Sequence, residues 1–134
     1  MKIESNKTII EKSNEIVFDY ISNCNNFGKV LPEQIKNWNS TEDNCTFEIE
    51  GMAKITLTIT KRNPHSKVEY SATADKPFGL ILTCFITYLD NNRCEIYSEL
   101  DADIPPMIAM MAKNPLQKFS DQLMLKIKQV CETL

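Results

Sequence analysis

Residues 45–60 read Cys45-Thr46-Phe47-Glu48-Ile49-Glu50-Gly51-Met52-Ala53-Lys54-Ile55-Thr56-Leu57-Thr58-Ile59-Thr60. Cys45, Phe47 and Ile49 alternate with Thr46, Glu48 and Glu50. After the break at Gly51, Ile55, Leu57 and Ile59 alternate with Thr56, Thr58 and Thr60. A period of two sends alternate side chains to opposite faces, so each run reads as a strand with one apolar and one wet face. Such strands need partners of the same kind and something apolar to lie against the inward face.

The following residues supply the partners. Arg62-Asn63-Pro64-His65-Ser66 reads as a turn, and Val68, Tyr70, Ala72 and Ala74 form the inward set of the next strand, which Pro77 ends. Phe78–Leu89 is a long apolar strand, and Asp90-Asn91-Asn92 is a hairpin turn of residues that tolerate positive φ. Beyond it, Cys94, Ile96, Ser98, Leu100 and Ala102 alternate with Glu95, Tyr97, Glu99, Asp101 and Asp103. The register of 78–89 against 93–103 rests on the turn, since a slip of one residue exchanges the faces. The expected inward set is Phe78, Leu80, Leu82, Cys84 and Ile86.

Helices flank the strands. Lys2–Ile10 reads as a first strand, and Ser13 or Asn14 offers an N-cap for a helix carrying Val17, Phe18 and Ile21. Phe27, Val30 and Leu31 suit a short second helix that stops at Pro32. Pro105-Pro106 closes the sheet, and Asn114-Pro115 predicts a break or kink. Leu116, Phe119, Leu123, Ile127 and Val130 then recur every three or four residues opposite Lys118, Asp121, Gln122, Lys126 and Gln129, the stripe of a helix laid on a sheet. The order is that of an α+β domain with segregated elements, in which about six to seven antiparallel strands face one long C-terminal helix.

Composition bounds the rest. The 134 residues suit one domain, 1–134, with 43% hydrophobic and 25% charged residues. Lys and Arg number 15 against 18 Asp and Glu, a net charge of -3. That balance argues against a general nucleic-acid binder, which needs a basic face to displace counterions. No apolar run approaches the roughly 20 residues of a spanning helix, and the polar start is unlike a signal peptide. The five cysteines (Cys24, Cys45, Cys84, Cys94, Cys131) form no C-x-x-C pair, and His65 is the one histidine. The expectation is a cytoplasmic protein with buried free thiols and with neither disulfides nor a metal site.

The element order resembles that of the START-like helix-grip superfamily (SRPBCC), particularly its polyketide-cyclase and lipid-transport branch and its small bacterial members. The residues that carry the resemblance are Lys12-Ser13-Asn14-Glu15-Ile16-Val17-Phe18-Asp19-Tyr20-Ile21-Ser22, then Asn26-Phe27-Gly28-Lys29-Val30-Leu31-Pro32 and Lys36-Asn37-Trp38-Asn39-Ser40-Thr41. The last is Met110-Met111-Ala112-Lys113-Asn114-Pro115-Leu116-Gln117-Lys118-Phe119. It implies a curved antiparallel sheet around the C-terminal helix, with a cavity for an apolar or amphipathic molecule between them. Relatives use that cavity in cyclisation, in lipid or quinone carriage, or as co-chaperones, and fold alone does not choose. The glycine-rich loop of the plant allergen relatives is missing, since the chain has three glycines.

Candidate chemistry is sparse. His65 follows Pro64 in a polar turn and reads as a solvated residue rather than a catalytic or metal-binding one. The carboxylates Glu95, Glu99, Asp101 and Asp103 lie about 7 Å apart along one strand face, too open for a cation cage. Among Tyr20, Tyr70, Tyr88 and Tyr97, Tyr70 shares the inward face and is expected to present a hydroxyl to the cavity. Met107, Ile108, Met110 and Met111 read as a soft lid over its mouth. Phe27, Leu31, Trp38, Phe47, Tyr70, Leu82, Met111, Phe119 and Leu123 are expected to line a pocket of about 300–1,000 Å3, with Tyr70 or Ser98 orienting the ligand. No catalytic residue or cofactor is expected, because the inward positions carry no ionisable side chain for general acid or base work. The leading reading is a monomeric or homodimeric binder of a hydrophobic small molecule. A cyclase- or hydrolase-type enzyme and a co-chaperone-like interaction module, marked by an exposed Phe85 or Tyr97, are the alternatives.

Overall fold

The alternating runs around Gly51 become neighbours in an antiparallel sheet. The computed structural model describes residues 1–31, 35–49, 53–74 and 79–134. Its strands are β1 (Lys2–Glu4), β2 (Thr8–Ile10), β3 (Ile35–Ser40), β4 (Asn44–Ile49), β5 (Ala53–Asn63), β6 (Lys67–Ala74), β7 (Gly79–Asp90) and β8 (Arg93–Ala102). Two α-helices, α1 (Asn14–Ile21) and α2 (Pro106–Cys131), and a 3₁₀ helix, Cys24–Lys29, complete the chain. The curved, open sheet runs β3-β4-β5-β6-β7-β8 as a meander, and β1 and β2 return to pair with β8. Gly51, Pro32, Pro77 and Phe78 lie outside the described residues, as do the side chains of Ile49 and Ala74.

The expected first strand, Lys2–Ile10, is interrupted, which raises the strand count to eight among the described residues. At the interruption the Ser98 amide donates to Ser5 Oγ at 2.8 Å, while the Ser5 amide donates to the Ser98 carbonyl at 2.8 Å. A side-chain hydroxyl thus replaces a backbone acceptor and keeps a buried donor satisfied.

Turn chemistry sets the register. His65 adopts φ 65°, the left-handed conformation that closes the β5–β6 turn, and its ring meets the edge of Phe18 at 5.5 Å. It is exposed yet packed, rather than merely solvated. The β7–β8 turn contains neither of the described non-glycine residues with positive φ, which are Asn37 and His65. Instead Asp90 Oδ1 accepts from the Asn92 amide at 2.9 Å, and Arg93 pairs with Asp90 at 2.9 Å. The Asn92 amide and the Arg93 guanidinium hold the Asp90 carboxyl below its ordinary range. The resulting register places Leu82 opposite Leu100, Cys84 opposite Ser98 and Ile86 opposite Ile96, all buried. In β3 one extra residue between Lys36 and Asn39 forms a bulge, with Asn37 at φ 54°.

Ser13 caps α1, its Oγ accepting from the Ile16 amide at 3.2 Å. Arg62 donates to the Ser22 carbonyl just beyond the helix at 3.0 Å and pairs with Asp43 at 2.8 Å. This places a cation at the negative end of the helix dipole. Helix α2 is continuous through Pro115 rather than broken there. The proline withholds a hydrogen bond from the Met111 carbonyl where both residues are exposed, so water can take the donor's place. The core stripe of α2 is Ser120, Leu123, Met124, Ile127 and Cys131, with Leu116, Phe119 and Val130 half-buried.

A seam of hydrogen bonds fixes α2 along the N-terminal edge. Gln117 Nε2 donates to the Glu4 carbonyl at 2.9 Å, and the Asn6 amide donates to Asp121 at 2.7 Å. Lys128 Nζ donates to the Ile9 carbonyl at 2.8 Å, and the Glu11 amide donates to Glu132 at 2.8 Å. The helix therefore packs chiefly on β1, β2 and β8, and over β4–β7 its Phe119 and Leu123 share the covering with Phe27 and Leu31.

Ser5→Ala is expected to lower stability by about 1–3 kcal/mol, because it strands the buried Ser98 amide. Ser98→Ala removes a buried hydroxyl that has no partner among the described residues and should leave Tm unchanged or raised. Thermal unfolding of the two variants compares them, and equal losses would contradict this account of the strand interruption.

Candidate functional site

Between the sheet and the covering elements lies an apolar cavity of about 80 Å3. Its floor is a patch of cross-strand neighbours. Phe47 faces Ile55, Leu57 faces Ala72, Ala72 faces Leu80, and Leu82 faces Leu100. Ala72 carries only a methyl group between Leu57 and Leu80, which is why space remains there. Phe27 and Leu31 cover one side, and Phe119 and Leu123 of α2 cover another. Among the described residues every lining side chain is hydrocarbon. At about 24 cal/mol per Å3, an empty cavity of this size costs about 2 kcal/mol in unmade contacts, and a ligand's carbon atoms recover such contacts.

The cavity falls short of the expected 300–1,000 Å3, since Phe27, Phe47, Leu82 and Phe119 fill most of the interior. A second hollow of about 300 Å3 lies outside it, between Val30 and Leu31 and the α2 residues Phe119, Gln122, Leu123, Leu125, Lys126 and Gln129. Leu31, Phe119 and Leu123 line both spaces and form the wall between them. Leu31 and Leu123 are buried and Phe119 is half-buried.

Phe27, Leu31, Phe47, Leu82, Phe119 and Leu123 converge on the cavity, as the sequence reading expects. Four expected residues stand elsewhere. Trp38 stacks on Phe47 at 5.8 Å with its ring beside Gly28, so it backs the wall without lining the space. Tyr70 is fully buried against Phe27, with ring centroids 5.1 Å apart, but its hydroxyl donates to the Ile21 carbonyl and so cannot orient a cavity ligand. Burial pushes the Tyr70 phenol well above its ordinary pKa. Ser98 sits opposite Cys84 behind the lining. Met111, like Met107 and Met110, is 82% exposed, so this segment projects into solvent instead of closing the mouth.

Ile55, Leu57, Leu80 and Leu100 complete the lining and were absent from the expected set. Each lies on an inward strand position, and the missing information was which of them flank the short Ala72 across the ladder.

The five cysteines are free and buried. Burial pushes the Cys84 and Cys131 thiols up to about 12 and Cys94 to about 11. A hydrogen bond between Cys24 and Cys45 lowers the former and raises the latter. On the outer face Phe85 and Tyr97 are half-buried and stack at 5.0 Å, with Lys7 over the Tyr97 ring. Glu99 pairs with Lys2 at 3.4 Å. Among the described residues no group of three or more His, Cys, Asp and Glu side chains is placed to hold a metal ion.

An open antiparallel sheet gripping a C-terminal helix around an apolar space defines a helix-grip protein. The chain has the START-like form of that fold. It is similar to the protein XoxI from Bacillus cereus, at 18% identity and TM-score 0.74, over 96% of this chain and 94% of that one. A START superfamily protein from Mycobacterium smegmatis matches at 14% identity and TM-score 0.69, over 96% of this chain and 98% of that one. A norcoclaurine synthase point mutant from Thalictrum flavum, in complex with a transition state analogue, matches at 10% identity and TM-score 0.71, over 98% and 93%. At these identities the likeness is one of fold. No protein-family model matches the chain. No curated protein matches it either.

Tyr70→Phe is expected to destabilise the protein by about 1–3 kcal/mol, by leaving the Ile21 carbonyl unpaired in the core. It should leave uptake of an apolar dye unchanged. A tyrosine that oriented the ligand would give the opposite pattern in paired melting and binding measurements.

Proposed function

We propose that this chain, acting as one domain over residues 1–134, binds a hydrophobic or amphipathic small molecule between the sheet and α2, as a carrier or sensor. The observation that carries this reading is the hydrocarbon lining that the described residues give the cavity, which adjoins an outer groove at Leu31, Phe119 and Leu123. The lining residues Phe27, Leu31, Phe47, Leu82, Phe119 and Leu123 supply the apolar surface, and burying ligand carbon against them supplies the affinity. Because the closed cavity is small, binding requires Leu31 and Phe119 to move apart and join it to the groove. Solved proteins of similar fold include one named a START superfamily protein, which agrees with binding of a small molecule. The five unpaired thiols suit a reducing, cytoplasmic setting. Among the described residues no helix is long and apolar enough to cross a membrane.

An enzyme on the same fold is the weaker reading. One similar structure is named a synthase, but among the described residues no ionisable side chain lines this cavity to transfer a proton. A second reading, an interaction module, has one specific observation in its favour: Met107, Ile108, Met110 and Met111 expose an apolar strip on the first turns of α2.

Ala72→Phe tests the proposal by filling the cavity between Leu57 and Leu80. It should abolish uptake of the neutral dye N-phenyl-1-naphthylamine, and Ala72→Ile should weaken uptake while preserving the fold. Unchanged uptake in a folded Ala72→Phe protein would overturn this placement of the pocket.

A further inference from the structure

Resting on that reading, we propose that the ligand is a single-chain amphiphile with a carboxylate-like anionic head. Its tail passes between Leu31 and Phe119 into the cavity, and its head stays in the groove against Lys126. The geometry supports each part. The cavity and the groove share Leu31, Phe119 and Leu123, so the two spaces adjoin at these residues. The two spaces differ in chemistry. Among the described residues no polar side chain lines the inner one, whereas Gln122, Lys126 and Gln129 line the outer one beside its apolar floor.

Gln122, Lys126 and Gln129 are spaced four and three apart, so they share one stripe of α2, adjacent to the stripe of Phe119 and Leu123. Lys128, two residues further on, is committed to Glu132 at 2.7 Å and to the Ile9 carbonyl. Among the described residues Lys126 makes no hydrogen bond or ion pair, and no described Asp or Glu lines the groove. The described lining of the groove therefore presents one cation flanked by two amides.

These features fix the ligand's polarity and its direction. A charged head cannot enter the cavity, where nothing would satisfy it, so the tail goes in and the head remains at the rim. The apolar stem of Lys126 can lie along the first carbons of the tail while its ammonium reaches the head. An inner space of about 80 Å3, reached between two side chains, has room for the end of a single alkyl chain.

The test is isothermal titration calorimetry of dodecanoate, 1-dodecanol and dodecyltrimethylammonium, each below its solubility or micellar limit. The wild-type protein, Lys126→Gln, Lys126→Glu and Ala72→Phe are compared. In the wild type, dodecanoate should bind more tightly than dodecyltrimethylammonium by about tenfold at low salt, and the gap should shrink as salt is added. Shortening the carboxylate series should weaken binding by about fourfold per methylene. Lys126→Gln should cost dodecanoate about three- to fivefold, as expected for one exposed charge contact, and leave dodecanol unchanged. Lys126→Glu should reverse the head-group preference.

If Ala72→Phe abolishes binding of all three probes while neither Lys126 variant alters their ratios, the cavity reading stands and the head-group assignment falls. If dodecanoate binding follows Lys126 but ignores Ala72→Phe, the head is held without the tail entering, and the proposal is overturned. Failure of every probe to bind wild type overturns both readings. Lys126 is exposed, so circular dichroism of its variants should match wild type.

Discussion

The seating of α2 along one edge of the sheet is the constraint on which the rest of the structure depends. Hydrogen bonds in which Gln117 and Lys128 donate to, and Asp121 and Glu132 accept from, the backbone of residues 4–11 hold the helix over β1, β2 and β8. Those bonds exist because the N-terminal strand returns to pair with β8, and the Ser5–Ser98 exchange lets it do so across an interruption. A helix fixed at one edge reaches over β4–β7 with its side chains rather than its backbone. That face is closed by Phe27 and Leu31 from one side and by Phe119 from the other, and the cavity is the space that they leave above Ala72.

The inward faces of the strands were legible because period-two alternation is a local signal. Val68, Tyr70 and Ala72, and Cys94 through Ala102, lie inward as read. Helix α2 was legible as a helix, but its buried stripe includes Met124 and Cys131, because the stripe is set by the edge on which the helix sits. Pro115 does not break α2, because the hydrogen bond it withholds from the Met111 carbonyl is lost where both residues are exposed and water can take the donor's place.

The site was legible only in part, and its exceptions share a cause. Alternation places Tyr70 inward but does not reveal that its phenol reaches the Ile21 carbonyl at the end of α1. Trp38 is apolar and adjacent to the site, yet the β3 bulge stacks it on Phe47 rather than on the cavity. Met111 carries the right chemistry on a part of α2 that extends past its packing partners. Ile55, Leu57, Leu80 and Leu100 line the cavity through ladder pairings that no single strand encodes. The direction of each side chain is local information, whereas its neighbours are set by register.

The central claim is that the space beside Ala72 exists to be filled by an apolar chain. Native mass spectrometry of gently purified protein, followed by solvent extraction, tests it most directly. The account predicts a mass above the bare 15.4 kDa chain that extraction releases and that Ala72→Phe lacks. The bare chain alone from both proteins would contradict it.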